Sequence, residues 1–241
     1  MSGTTLAQSE IEIGHHITVT IGGLTFNVDT ILATVVAGAI VVGLGLYVAR
    51  KISARTPNRV QLVFEGVTTQ VRDQVESTMG IKTAPFVVPL AMALFLFILV
   101  ANWLAILPAA HGIIPPPASD VNLAYALALL VIVWMHVTGV RKKGFRAYYH
   151  HLAQPSWILF PINLVEEIAR PITLSLRLFG NIFSGVIMVS LIALFPAYIL
   201  WAPNVVWKLF DLFIGLIQAF IFALLTILYF GSVAPSEEEA H

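Results

Sequence analysis

Arg177 is the side chain in this sequence whose position most needs a chemical reason. It shares an apolar segment with Glu166, Glu167 and Arg170, and a charge at bilayer depth costs at least about 2.5–3.5 kcal/mol on insertion scales. Asn163, Glu167, Arg170, Leu174, Arg177, Asn181 and Ser184 follow one another at steps of three or four. A helix puts them on one stripe, with Glu166 and Thr173 beside it, while Ile, Leu, Val and Phe fill the other faces. A second apolar segment repeats the pattern: Asp211 and Gln218 are two turns apart on one face, and Thr226 falls close to that line. Carboxylates take up and release protons. A guanidinium does not, but it favours the ionised form of a carboxylate brought near it. The set is therefore suited to passing protons through an apolar layer, with a fixed positive charge that no proton crosses easily. No acid lies within two turns of Arg177 on its own helix, so its counter-charge must come from another helix or another chain.

The elements that position these residues are membrane helices. Of the 241 residues, 58% are hydrophobic and only 11% charged, with a mean hydropathy of +0.88. A soluble domain of this size needs far more charge on its surface. About 20 apolar residues cross a bilayer, and five segments qualify: about 28–49, 84–107, 121–140, 161–195 and 204–232. The fold class expected is an all-α integral membrane protein with one membrane domain over 28–233. A polar tail over 1–27 precedes it, and an acidic tail over 234–241 follows. No Lys or Arg occurs before Arg50, so a signal peptide's basic n-region is missing and the tail is expected to belong to the mature chain.

Basic residues set the orientation. Arg50, Lys51, Arg55, Arg59, Arg72 and Lys82 fall between the first two spans, and Arg141, Lys142, Lys143 and Arg146 follow the third. The connections 108–120 and 196–203 carry no Lys or Arg. The positive-inside rule then places the N-terminus outside and the C-terminus in the cytoplasm. Within the first basic connection, Val60, Val63, Phe64, Val67, Val71 and Val75 recur at helical spacing among Arg59, Glu65, Arg72, Asp73 and Glu76. Residues 58–79 are thus expected to form an amphipathic helix on the cytoplasmic membrane surface, a solvated linker helix being the alternative. Pro115-Pro116-Pro117 marks an external turn.

At about 1.5 Å per residue, Arg177 lies about 24 Å along the fourth helix from Pro161, and Gln218 about 21 Å along the fifth from Asn204. Both fall near mid-membrane, with Asp211 toward the outer side and Glu166 and Glu167 toward the inner. Carboxylate, arginine, carboxylate is the order expected of two aqueous half-paths separated by a fixed charge. Structural ion pairing remains open for Arg177 and Asp211, and snorkelling for Glu166, Glu167, Arg170 and Lys208. His136, Asn102 and Asp120 read as packing or interface residues. Metal binding is not expected of His15-His16 or His150-His151, because adjacent histidines point to different helix faces. The absence of Cys excludes disulfides and thiolate sites.

The run Arg170-Pro171-Ile172-Thr173-Leu174-Ser175-Leu176-Arg177-Leu178-Phe179-Gly180-Asn181 resembles the signature of F-type ATP synthase subunit a of the bacterial type. Ile217-Gln218-Ala219-Phe220-Ile221-Phe222, Asn102-Trp103 and Ser119-Asp120-Val121-Asn122 are similar to further family patterns, and the likeness covers nearly the whole chain. It implies that Arg177 is the essential stator charge facing a carboxylate of the c-subunit ring. It implies that Asp211, Asn181 and Gln218 line an outer proton path, and Glu166, Glu167 and Arg170 an inner one. It implies that the last two helices form a long tilted hairpin against that ring. The sequence departs from the family in one respect. Many bacterial members carry an acid nine positions after the arginine and a histidine seven before the glutamine, where this chain has Val186 and Asp211. The acid has thus moved to the last helix, and His111 is a further candidate for the outer entrance.

The resemblance also implies partners: the c-ring, the subunit b peripheral stalk, the whole F1Fo complex and the lipid bilayer of the plasma membrane. The translocated ion is expected to be H⁺. No cofactor and no nucleic acid is expected, and the chain is not expected to be an enzyme on its own, since it has no GxxxxGK phosphate loop. A secondary ion-coupled transporter with a buried Arg/Asp site is the alternative, but the sequence shows no internal repeat.

Overall fold

The computed structural model describes residues 18–21, 24–53, 57–80, 85–104, 121–144 and 198–233, together with 169, 172, 173, 176, 180, 184, 185, 187, 188 and 190–196. Val28–Lys51 forms α1, Arg59–Met79 α2, Val87–Leu104 α3, Val121–Lys143 α4 and Trp201–Val233 α5. Of these, α1, α3, α4 and α5 are long and apolar enough to cross a membrane. In such a solvent every backbone polar group must be satisfied within the segment, which a helix does by itself. Exposed Val35 and Val42 on α1, each 61% accessible, then face a medium as apolar as themselves. The fourth expected span, 161–195, falls largely outside the described residues, as does the tail 234–241. The described positions from 169 to 192 are all helical.

Eight described residues of the expected N-terminal tail have regular structure. β1 (Thr18–Ile21) and β2 (Leu24–Asn27) pair antiparallel, with Val19 opposite Phe26 and Thr20 opposite Thr25. β-branched residues fill β1 and Thr25 and Phe26 sit at the centre of β2, and the sequence puts Gly22-Gly23 between the strands, a pair suited to a two-residue hairpin connection.

The core sits where α3 meets α5, with α2 and α4 packed at the sides. Val75, Val87, Ala91, Ile98, Ala128, Val131, Met135, Ala219, Phe222 and Ile227 are essentially inaccessible. Alanines on three helices let backbones approach closely, the usual basis of helix packing in lipid. Phe86 ties three elements together. Its ring stacks on Trp134 of α4 at 5.9 Å and meets Phe230 of α5 edge-on at 5.5 Å. Phe86 beside Phe230 and Asn102 beside Gly215 fix α3 and α5 as antiparallel neighbours in nearly constant register. At 33 residues α5 is about 50 Å long against a hydrocarbon core of about 30 Å, so it tilts or extends beyond that core.

Only part of the apolar stripe of the amphipathic helix α2 packs against the other helices. Val71 and Val75 are buried, but Val63 is 69% exposed, as is much of Leu62, while Gln61 is buried. Gln61 is buried because it is bonded. Its Nε2 donates to the Ser53 carbonyl at 3.1 Å and to Glu65 Oε1 at 2.6 Å, and its Oε1 accepts from the Ser53 N–H at 3.1 Å. This clasp pins the chain between α1 and α2. Gly80 ends α2 at φ 72°, a left-handed conformation suited to glycine, and donates its N–H to Glu76 O at 3.1 Å. The far end of α2 presses on α5: a Cβ on Gly231 would stand 2.6 Å from Thr78 Cγ2.

Candidate functional site

The face of α5 that turns inward carries the polar residues. Asp211 and Gln218 are seven residues apart, about 10.5 Å of rise at nearly the same azimuth. Both are described, so the spacing read from sequence corresponds to one continuous helical face. Asp211 is partly buried. Its carboxylate lies beside the fourth apolar segment, with Oδ2 and Oδ1 3.8 and 3.9 Å from where a Cβ on Gly185 would be. The chain reaches this juxtaposition through a turn at 193–195 and 198–200, in which Leu194 N–H bonds Leu191 O and Ile199 N–H bonds Pro196 O. Gly185 directly precedes Val186 in sequence. The acid of α5 therefore sits next to the stretch of chain that, by the family pattern, would carry it.

Gln218 is only 5% exposed, and its Nε2 has no hydrogen-bond partner. A buried amide N–H₂ without an acceptor costs roughly 1–3 kcal/mol, and such groups cluster where water or a partner completes the site. Asn204 Oδ1 and Trp207 Nε1, further up α5, are also buried without partners. Thr226, by contrast, is satisfied within its own helix, donating to Phe222 O at 2.9 Å. Shielded, unbonded polar atoms thus continue the line of Asp211 and Gln218 toward the N-terminal end of α5. Lys208 follows Trp207, three residues before Asp211, and is partly exposed.

Two residues near the end of α3 grip the turn of α5 between Asp211 and Gln218. Asn102 Nδ2 donates to the Gly215 carbonyl and Trp103 Nε1 to the Leu212 carbonyl, each at 3.3 Å. Gly215 permits the approach, since a Cβ there would meet Asn102 Cβ at 3.0 Å. From sequence, Asn102 reads as a packing or interface residue. A buried Asn in an otherwise apolar span was the available signal, because such a group needs a partner.

Arg177, Asn181, Glu166, Glu167 and Arg170 lie outside the described residues, as do Val186, His111 and Asp120. Thr173, on the same segment, bonds Ala169 O at 2.9 Å. His136 donates its Nδ1–H to Ile132 O at 2.9 Å, a bond within its own helix. Among the described residues no three His, Cys, Asp or Glu come together as a metal site. An apolar cavity of about 320 Å³ between α2, α3 and α5, lined by Phe95, Leu216, Phe220 and Ile227 with Gln70 and Gln74 of α2, contains neither Asp211 nor Gln218.

A protein-family profile described as ATP synthase A chain matches residues 31–231. A protein of Mycobacterium bovis named ATP synthase subunit a is 52% identical over 247 residues, covering 98% of this chain and 99% of the relative. One of the same name from Acidothermus cellulolyticus is 54% identical over 238 residues, covering 96% of this chain and 88% of the relative. The similarity extends to Bacillus velezensis, whose subunit a is 34% identical over 230 residues, with 88% and 94% covered.

Proposed function

We infer the function from one premise: this chain belongs to the family of ATP synthase subunit a. It is the membrane-embedded stator subunit of the Fo sector, through which protons pass to and from the c-ring. Nucleotide chemistry resides in other subunits of the F1Fo complex. A secondary transporter is not favoured.

On that basis the residues divide the work as follows. Protons enter from outside along a wet path past Asp211, with Asn181 and Gln218 beside it, and neutralise a c-subunit carboxylate. That subunit then turns into lipid. After nearly a full rotation it meets the inner path near Glu166, Glu167 and Arg170 and loses its proton. Arg177 holds the arriving carboxylate ionised and repels any proton moving straight between the half-paths. Each proton crossing 100 mV supplies about 2.3 kcal/mol. The amphipathic α2 rests on the cytoplasmic surface, with the N-terminus outside, the C-terminus inside and subunit b alongside. The observation that supports this reading is the carboxylate of Asp211, which stands beside Gly185 and shares a helical face of α5 with the orphaned amide of Gln218.

Replacing Asp211 with Asn in the assembled complex tests it. ATP-driven proton pumping into membrane vesicles should fall at least tenfold while ATP hydrolysis by F1 persists. Full pumping by D211N would sink Asp211 as the outer relay.

A further inference from the structure

The turn of α5 between Asp211 and Gln218 is held from outside the helix. A carbonyl in a helix interior already accepts one N–H from four residues on, and its second lone pair is usually idle. Here two such lone pairs one turn apart, on Leu212 and Gly215, are both taken by consecutive side chains of α3, Trp103 and Asn102. One bond between helices limits their separation. Two bonds displaced along the axis also fix height and rotation, because a slip of one residue moves α5 by about 1.5 Å and turns it by about 100°. Gly215 makes the grip close: the Asn102 Cβ stands 3.0 Å from where a Cβ on Gly215 would be. Asn102 is buried, and the rest of α3 offers no other polar side chain save Trp103.

We propose that Asn102 and Trp103 are positioning residues of the outer proton path: their side-chain bonds to the Gly215 and Leu212 carbonyls set the azimuth and depth at which α5 presents Asp211 and Gln218. The inference rests on the reading of Asp211 as the outer relay. Neither residue exchanges protons with the path. Asn102 is an amide and Trp103 an indole, both donors to the backbone in these contacts. Their effect is to keep the Asp211 carboxylate beside Gly185 and the Gln218 amide on the same line. Without the two bonds the turn of α5 between Leu212 and Gly215 loses its directional contacts with α3, and apolar packing alone sets its rotation there. A rotation of even a third of a residue step sweeps a side chain about 33° around the axis.

The test uses the complete complex reconstituted in liposomes, with Asn102→Leu, which keeps the size and removes the donor, and Trp103→Phe, which keeps the aromatic bulk and removes the N–H. The readout is the rate of proton-driven ATP synthesis as a function of the pH on the side where protons enter. The other titratable side chains toward that end of the described helices are Lys208 on α5, Tyr125 on α4 and Asp29 on α1, and α3 has none. Asn102→Leu should lower the rate three- to tenfold and shift the half-maximal pH by at least half a unit. Trp103→Phe should do the same to a smaller degree. The double variant should be little worse than Asn102→Leu, because both bonds hold one turn. Should Asn102→Leu fail to assemble, Trp103→Phe decides alone. Normal assembly with an unchanged rate and pH profile in the variants that assemble overturns the proposal. Asp211→Asn, measured in parallel, separates the two ideas. If it blocks transport while the α3 variants behave as the parent, only the positioning role is lost; if it transports normally, the outer relay itself is wrong.

Discussion

The carboxylate of Asp211 stands beside Gly185, its Oδ2 3.8 Å from the point a Cβ would occupy there. That distance is ordinary van der Waals contact, so one methyl group fits beside the carboxylate. Gly185→Ala is expected to pump protons at close to the parental rate. Gly185→Leu should displace the carboxylate from the helix interface and reduce ATP-driven pumping about tenfold in vesicles containing equal amounts of assembled complex. Equal pumping by the two variants would show that the contact has no bearing on transport.

Because Gly185 precedes Val186, the contact also makes a prediction about where the acid has to be. A carboxylate on either of two facing helices can serve one water path if it reaches the same volume. Asp211→His with Val186→Glu, the arrangement common in the family, should therefore recover at least a third of parental pumping, whereas Asp211→His alone should remain below a tenth. The two single variants and the double form a cycle, and a coupling of about 1–2 kcal/mol is expected between residues that share one site. Additive losses would mean that the two positions serve different paths.

The sequence made the membrane helices legible because the bilayer imposes their length and apolarity, and α1, α3, α4 and α5 fall where apolar runs of about 20 residues occur. Asp211 and Gln218 were legible because seven residues are two helical turns and a charge in lipid needs a reason. The hairpin over Thr18–Asn27 was not, since two four-residue strands carry too short an alternation to stand out from a polar tail. Nor was the inward face of α2. Val63 fits the apolar stripe by spacing yet is exposed, while Gln61 is buried by three bonds that no periodicity encodes. Asn102 bonds a carbonyl 113 residues away, and local pattern says nothing about a partner at that separation.

Gly231 makes a stability prediction. The nearest atom to a Cβ at that position is Thr78 Cγ2 at 2.6 Å, too close for any real contact, and Met79 Cε is 3.8 Å away. Gly231→Ala must displace the Thr78 methyl, either by turning that side chain away from its bond to the Gln74 carbonyl or by moving α2 off α5, a degree of overpacking that costs typically about 1–3 kcal/mol. The purified subunit complex should lose several degrees of thermal stability, and Thr78→Ser, which removes the clashing methyl, should restore most of it in the double variant. If Gly231→Ala melts like the parent, α2 is not seated on α5 in the membrane.

Arg177 carries the decisive prediction for mechanism. Lysine preserves the charge but is a compact, strongly hydrated ammonium able to lose its proton when desolvated, whereas a guanidinium stays protonated and offers a planar fork to a carboxylate. If the residue works as a permanent barrier between half-paths, both changes should stop ATP-driven pumping, and they should differ in leak. Arg177→Ala removes the positive charge altogether, so passive proton flow through Fo stripped of F1 should rise several-fold above the parent. Arg177→Lys should leak less than Arg177→Ala, and its leak should grow as pH rises and the amine loses its proton. Pumping retained by Arg177→Ala, with unchanged leak, would reduce Arg177 to a structural charge and remove the separator from the proposed path.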